Sequence, residues 1–497
     1  MNCTATDVRD ALISSDFIDS VDVGFVLQDA TGAIVDCNRA AAALLGLPFE
    51  QVVGRTSHSP EWGAVRSDGS PFPGDEHPAM VALRTGCPLR TVIMGIDIPG
   101  RSRRWILVDA WPIISPEGVT GVITSFDDQT ERVERDKLFR ALARINELVI
   151  AAHDEDVLLS EIADCIVELL GFPRVEFILD DDAGSRTVAG APDLRGGAPD
   201  PALDVVTRAL RDATIQVVDD VANPSGGPSV SASTVDASYR SLLAAPVSLG
   251  DQRAVLAIYG ERRHEFDALT IEGVAEIAKA CEYGVAHVRS MERLEMAFDS
   301  TLAALAGIGE MRDPYTAGHQ SNVGVLSEQI AVRLGLDDEM VGQIRRAAEV
   351  HDIGKIAVPA EILTKPGRLS ALEYEMMKVH ARIGWEILSR ASLPWPIAEV
   401  ALQHHERLDG SGYPQGLAGE AICLPARVVA VADVIEAMIQ HRPYRPGLGR
   451  DAAIAEVLAG AGVRYDADAV DAAVAVLAEG FDFTSNATLG APRGLDD

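Results

Sequence analysis

The sequence is short of basic charge, paired cysteines and long apolar runs. Lys and Arg number 43 against 75 Asp and Glu, a formal net charge of −32. That balance argues against a broad basic surface for a nucleic-acid polymer or an anionic membrane. It leaves room for a small phosphorylated ligand, because a metal pocket can be locally positive inside an acidic protein. The six cysteines (3, 37, 87, 165, 281 and 423) form no CxxC pair, as expected for reduced thiols in a cytoplasmic protein. No apolar run approaches the roughly 18 residues of a membrane span. The first residues also lack the basic and apolar stretches of a secretion signal. With 497 residues, 47% of them hydrophobic and 24% charged, the chain reads as globular and suggests three domains.

Residues 17–128 read as a small α+β unit. Val23–Gln28 and Ala33–Cys37 are strand-like around the turn signal Asp29-Ala30-Thr31-Gly32, and Asn38 is placed to cap a helix through Leu45. Strand-like runs follow at Leu89–Ile98, Arg103–Ile114 and Val119–Phe126, and Asp128-Gln129-Thr130 leads into a helix. This order resembles a PAS sensor domain. His58, His77 and Cys37 are its candidate haem or metal contacts, although lone residues of these types are more often surface or core. Residues 138–288 read as helices at Leu138–Ala152 and Val157–Leu170, a strand at Arg174–Asp180, and a hairpin of Leu242–Leu249 and Ala254–Tyr259 around Gly250-Asp251. This segment resembles a GAF domain, with no residue set that names its ligand.

A long helix begins near Ala268. Met291, Leu294, Phe298, Leu305 and Ile308 fall at a and d positions, with Thr301 at the intervening site. The pattern over 268–311 points to a homodimer whose connecting helix, 289–311, carries a signal onward. Residues 312–482 read as an all-α bundle and 483–497 as a flexible tail. The expected fold is thus multidomain: two α+β sensor domains, each an antiparallel sheet with flanking helices, and then a helical bundle.

The chemistry concentrates in that bundle. Of 11 histidines, five stand at His319, His351, His380, His404 and His405. Imidazole nitrogens and carboxylate oxygens suit a borderline divalent metal, and helices of a bundle can project such ligands into one site. His351-Asp352 follows an apolar helix. A carboxylate has two oxygens, so Asp352 is the natural bridge between two cations. His319, His351 and Asp433 would complete one ion, and His380, His404 and His405 the other.

A His-Asp pair alone is a weak signal. His404-His405-Glu406-Arg407-Leu408-Asp409-Gly410-Ser411-Gly412-Tyr413-Pro414 is a strong one, because it joins two ligands to a glycine-rich turn of fixed length. With Arg312-Asp313-Pro314-Tyr315-Thr316, Ile362 to Gly367, Asp433 and Arg442-Pro443-Tyr444-Arg445, the region resembles the HD-GYP phosphodiesterases of the HD metal-hydrolase superfamily. The resemblance implies hydrolysis of cyclic di-GMP to pGpG and GMP at two iron or manganese ions. It implies that Lys355 meets the scissile phosphate, that Gly412 and Tyr413 shape the guanine side, and that Arg442 and Arg445 contact the second phosphate. Tyr315 stands where some members carry a glutamate for a third metal, so two metals are expected. Ala360 and Glu436 also depart from the pattern, at positions not expected to touch the ligands. A metal-bearing scaffold without activity and an HD phosphohydrolase for another nucleotide are the competing readings. Complete ligands with Lys355 argue against the first, and the Gly412-Tyr413-Pro414 loop with the two arginines against the second.

Overall fold

The computed structural model describes residues 21–59, 62–98, 103–181, 184–191, 203–221, 239–312, 318–391, 397–440 and 447–483. The chain divides into two compact units, Met1–Met291 and Glu292–Asp497.

The first unit contains two antiparallel sheets. The N-terminal sheet has the strand order β2-β1-β6-β5-β4-β3. Its strands are β1 (Gly24–Asp29), β2 (Ile34–Cys37), β3 (Val65–Arg66), β4 (Leu89–Ile96), β5 (Arg104–Ser115) and β6 (Gly118–Asp128). The β1–β2 turn forms because Asp29 Oδ1 accepts from the Thr31 and Ala33 amides at 2.8 and 3.1 Å, while Gly32 takes the left-handed backbone that the reversal needs. Asn38 caps the helix Arg39–Leu45 by accepting from the Ala41 amide. At the exit, Asp128 Oδ1 accepts from the Thr130 amide and hydroxyl, and the Thr130 hydroxyl oxygen accepts from the Trp105 amide at 2.9 Å. The helix Thr130–Ala151 therefore begins where Asp128-Gln129-Thr130 was expected to lead into one, and it runs unbroken through the helical stretch read from Leu138. The short strand β3 and the helix Pro78–Thr85 have no counterpart in the sequence reading.

His58, His77 and Cys37 do not come together. His77 is buried with a ring nitrogen 2.9 Å from the Phe72 carbonyl, Cys37 lies in the apolar core, and His58 is exposed. Among the described residues they form no ligand cluster.

The second sheet has the order β8-β7-β11-β10-β9, from β7 (Arg174–Asp181), β8 (Gly184–Ala191), β9 (Gln216–Val218), β10 (Ser241–Leu249) and β11 (Gln252–Gly260). Leu249 pairs with Gln252, so Gly250-Asp251 makes a two-residue hairpin. One core joins Leu243, Leu256 and Ile258 to Ile145, Ile162 and Ile277 of three helices. A separate core sets Leu242 and Val255 against Val206 and Ala209 of the helix Leu203–Asp212, which the sequence reading lacked.

Ala268–Arg312 is one continuous helix, matching the long helix expected from about Ala268 to 311. Leu294 and Ile308 are exposed, at 63% and 50%, as are Met291 and Leu305, whereas Phe298 is partly buried against the C-terminal core. In the second unit, one core holds Leu302, Val323, Ile344, Val400, Val429 and Val470 from six helices. Phe483, read as tail, is buried there and makes an edge contact with Phe481. Residues 484–497 lie outside the described residues. No described helix is long and apolar enough to cross a membrane.

Candidate metal centre

The centre is built from helix ends and from the inward faces of two helices. His319 opens the helix His319–Arg333, after Gly318 in the left-handed conformation. His351 and Asp352 follow the helix Asp338–Val350, and a 3-10 turn, Ile353–Ala357, carries Lys355. His380 projects from the helix Ala371–Leu388, His404 and His405 follow the helix Ile397–Gln403, and Asp433 lies on the helix Leu424–Ile439. Gly354 explains how the 3-10 turn sits so close. A Cβ there would lie 2.0 Å from the His380 carbonyl oxygen, so any side chain would push Asp352 and His380 apart.

Three of the imidazoles are aimed by helix backbone. His351 Nδ1 lies 2.6 Å from the Ala348 carbonyl, His380 Nδ1 2.6 Å from Met377 and His404 Nδ1 2.9 Å from Ala401. A carbonyl only accepts, so Nδ1 carries the proton and Nε2 presents its lone pair inward. His380 Nε2 and His404 Nε2 approach Asp352 Oδ1 at 3.3 and 3.8 Å. His351 Nε2 and His319 Nε2 approach Asp352 Oδ2 at 3.4 and 3.8 Å. Asp352 thus turns one oxygen to each half of the cluster. The ligand atoms form two groups, Asp352 with His380, His404 and His405, and His319 with His351 and Asp433, each with its atoms within 4.8 Å of one another.

The cluster suits cations on its own terms. His351 Nε2 and Asp352 Oδ1 are buried with no hydrogen-bond partner, an unfavourable state for polar atoms unless something else satisfies them. Burial, then neighbouring histidines, lowers the pKa of His404 to about 3. His405 and His380 also fall below the ordinary imidazole range, chiefly through burial. Burial raises the Asp352 carboxyl, but Lys355 and His351 outweigh it and hold it well below the usual range. Neutral imidazoles and ionised carboxylates are the ligating forms.

His319 differs. Its Nδ1 is hydrogen-bonded to Glu436, and its Nε2 lies 3.3 Å from Asp433 Oδ1. Burial disfavours the imidazolium, yet the two carboxylates raise its pKa to about 9. Glu436 therefore does touch a ligand, contrary to the expectation from sequence. It lies three residues beyond Asp433 on one helix, so both carboxylates share a face. Glu436 also accepts from Asn322 Nδ2 at 3.3 Å, and a partner of this kind fixes ring orientation.

The following loop is held by a residue to which the sequence gave no role. Buried Glu406 accepts from the Gln415 and Leu417 amides at 2.7 and 3.0 Å. Gly412 lets the backbone cross, since its Cβ would meet Glu406 Cα at 2.4 Å. Tyr413, joined to Pro414 by a cis peptide bond, packs its ring 4.7 Å from that of His405. Lys355 reaches Asp352. Tyr315, Arg442 and Arg445 lie outside the described residues.

Helices that deliver histidine and aspartate to one point, after two antiparallel sensor-type sheets, define the class. Residues 18–134 match the PAS fold family, 152–282 the GAF domain family and 304–469 the HD domain family, so the chain is a PAS–GAF–HD protein. It is similar to the cyclic di-GMP phosphodiesterase response regulator RpfG of Xanthomonas campestris pv. campestris, with 45% identity over 185 residues, 37% of this chain and 49% of that protein. It is similar to the cyclic di-GMP phosphodiesterase of Thermotoga maritima, with 44% identity over 173 residues, 34% of this chain and 47% of that protein. It is also similar to the 3′3′-cGAMP-specific phosphodiesterase 3 of Vibrio cholerae serotype O1, with 40% identity over 154 residues, 31% of this chain and 34% of that protein. The chain spans about half the length of the first two relatives, and less of the third.

Proposed function

We propose that this chain is a sensory, metal-dependent phosphodiesterase that hydrolyses cyclic di-GMP to pGpG, GMP or both. The observation that carries this reading is Asp352, with one oxygen facing His380 and His404 and the other facing His351 and His319. In this reading His319, His351, Asp352 and Asp433 hold one cation of iron or manganese, and Asp352, His380, His404 and His405 hold the other. When bound, the cations supply positive charge at the phosphoryl oxygens and make water a stronger nucleophile near neutral pH. Lys355 adds an ammonium where charge develops on the scissile phosphate. Tyr413 and Gly412 form the wall on the guanine side. Arg442 and Arg445 take the second phosphate, a task suited to the guanidinium fork.

The proposed domains are a PAS sensor at 17–128, a GAF sensor at 138–288, a signalling helix at 289–311 and the catalytic domain at 312–482. The sensors gate turnover through that helix, whose exposed Leu294 and Ile308 pair with a second copy. We place the protein in the cytoplasm, supported by Cys87, Cys165, Cys281 and Cys423, which form no disulfide. The relative named for 3′3′-cGAMP favours a second reading, in which a mixed purine cyclic dinucleotide is also cut at the same site.

The test is to incubate manganese- or iron-loaded protein with each cyclic dinucleotide and separate the products. Linear dinucleotide or mononucleotide is expected. Intact substrate with every metal form would contradict the assignment.

A further inference from the structure

At the edge of the cluster, three side chains form an arrangement that the metal ligands do not require. Tyr374 and Lys378 are four residues apart on the helix Ala371–Leu388, and so share one face. His380 of the cluster is on the same helix, two residues further on. The Tyr374 ring lies 6.4 Å from the Tyr413 ring at 77°, an edge-to-face contact. Lys378 Nζ sits over both faces, 4.8 Å from the Tyr374 centroid and 5.5 Å from that of Tyr413. Tyr413 in turn is 4.7 Å from His405 and 6.4 Å from His380, so the group begins one ring away from the ligands.

Tyr374 is 47% exposed. Exposed aromatic faces beside a cation are the parts of a nucleotide-stacking platform: any base can stack on the ring, and the cation meets the anionic backbone. Among the described residues, Lys378 has one ion pair, 2.7 Å from Glu375 on its own helix, a contact of little strength in solvent. Its flexible stem can exchange that partner for a phosphate oxygen.

We propose that Tyr374 and Lys378 form, with Tyr413, a nucleotide-binding rim: Tyr374 stacks on a nucleobase of the substrate, and Lys378 moves from the ring faces to an anionic oxygen of the same nucleotide. The proposal rests on the phosphodiesterase reading for its substrate, but the rim is testable without turnover.

GMP is titrated calorimetrically into the full-length, manganese-loaded chain, with metal content measured on each sample. Tyr374→Ala is expected to weaken GMP binding about tenfold or more, Tyr374→Phe to restore it, and metal content to stay constant. Lys378→Met is expected to weaken binding and flatten its dependence on salt. Unchanged affinity in Tyr374→Ala overturns the rim, as does absence of GMP binding by the unaltered protein or loss of metal in step with affinity. If the expected pattern appears in a protein that cuts no cyclic dinucleotide, the phosphodiesterase reading falls and the rim stands. If cyclic di-GMP is cut with the same KM by Tyr374→Ala, the rim falls and the phosphodiesterase reading stands.

Discussion

Lys355 Nζ lies 2.6 Å from Asp352 Oδ2, the oxygen that faces His351 and His319. The ammonium keeps the Asp352 carboxyl ionised in a buried pocket, against the effect of burial itself. It also stands beside the group on which the two halves of the cluster meet. In the proposed reaction that charge would meet a developing phosphoryl anion, so Lys355→Met is expected to lower kcat on the order of a hundredfold while metal content is retained. Steady-state kinetics with metal analysis of the same sample checks this. An unaltered kcat would remove Lys355 from the reaction.

Metal uptake should release a proton from His319. Held between Glu436 and Asp433, this ring has a pKa of about 9 in the metal-free protein. His380, His404 and His405 are already neutral near pH 7 because burial lowers them. The metal-free form binds the His319 proton below about pH 9 and the metal-bound form does not. Apparent affinity therefore rises with pH until about pH 9. Calorimetric titration with manganese in buffers of different ionisation enthalpy is expected to show release at pH 7, falling by about half at pH 9. Buffer-independent heats at pH 7 would contradict the assignment.

Glu406 fixes the loop that carries Tyr413. Its carboxylate satisfies two backbone amides, of Gln415 and Leu417. Glu406→Ala leaves both without their acceptor, at about 1–3 kcal/mol each. Lower stability of the C-terminal unit and a higher KM are expected, with metal content maintained because Glu406 is not in either ligand group. Chemical denaturation and kinetics measure the two effects separately. A normal KM in the folded variant would show that loop position is unimportant for substrate.

Leu294 and Ile308 expose apolar surface on the helix Ala268–Arg312. A dimer through this helix would bury it. The double substitution Leu294→Glu and Ile308→Glu is expected to give a folded monomer, as read by light scattering, where the unaltered chain gives a dimer. A monomeric unaltered chain, or a variant that remains dimeric, would place any interface elsewhere.

Local chemistry was the legible part of the sequence. Asn38 declares its helix cap and Asp29 to Gly32 its turn, because each bonds to backbone a few residues away. The histidines and aspartates of the cluster are equally visible by residue type and motif. Contacts that depend on tertiary packing were not. The two-residue strand β3 is defined by its pairing with β4, and the helix Leu203–Asp212 by the sheet it covers. Glu436 meets His319 across 117 residues of chain, and Glu406 bonds to amides nine and eleven residues downstream. Gly354 shows the same limit: its residue type is plain in the motif, but its need to pass the His380 carbonyl appears only when the two helices cross.

In the proposed function one cluster, joined by Asp352, both holds the metal and performs the hydrolysis. Asp352→Ala tests it when metal content and cyclic di-GMP turnover are measured on the same preparation, beside the unaltered protein. Both are expected to be lost together while the variant stays folded by circular dichroism. Full turnover in Asp352→Ala would contradict it and place the reaction away from this cluster.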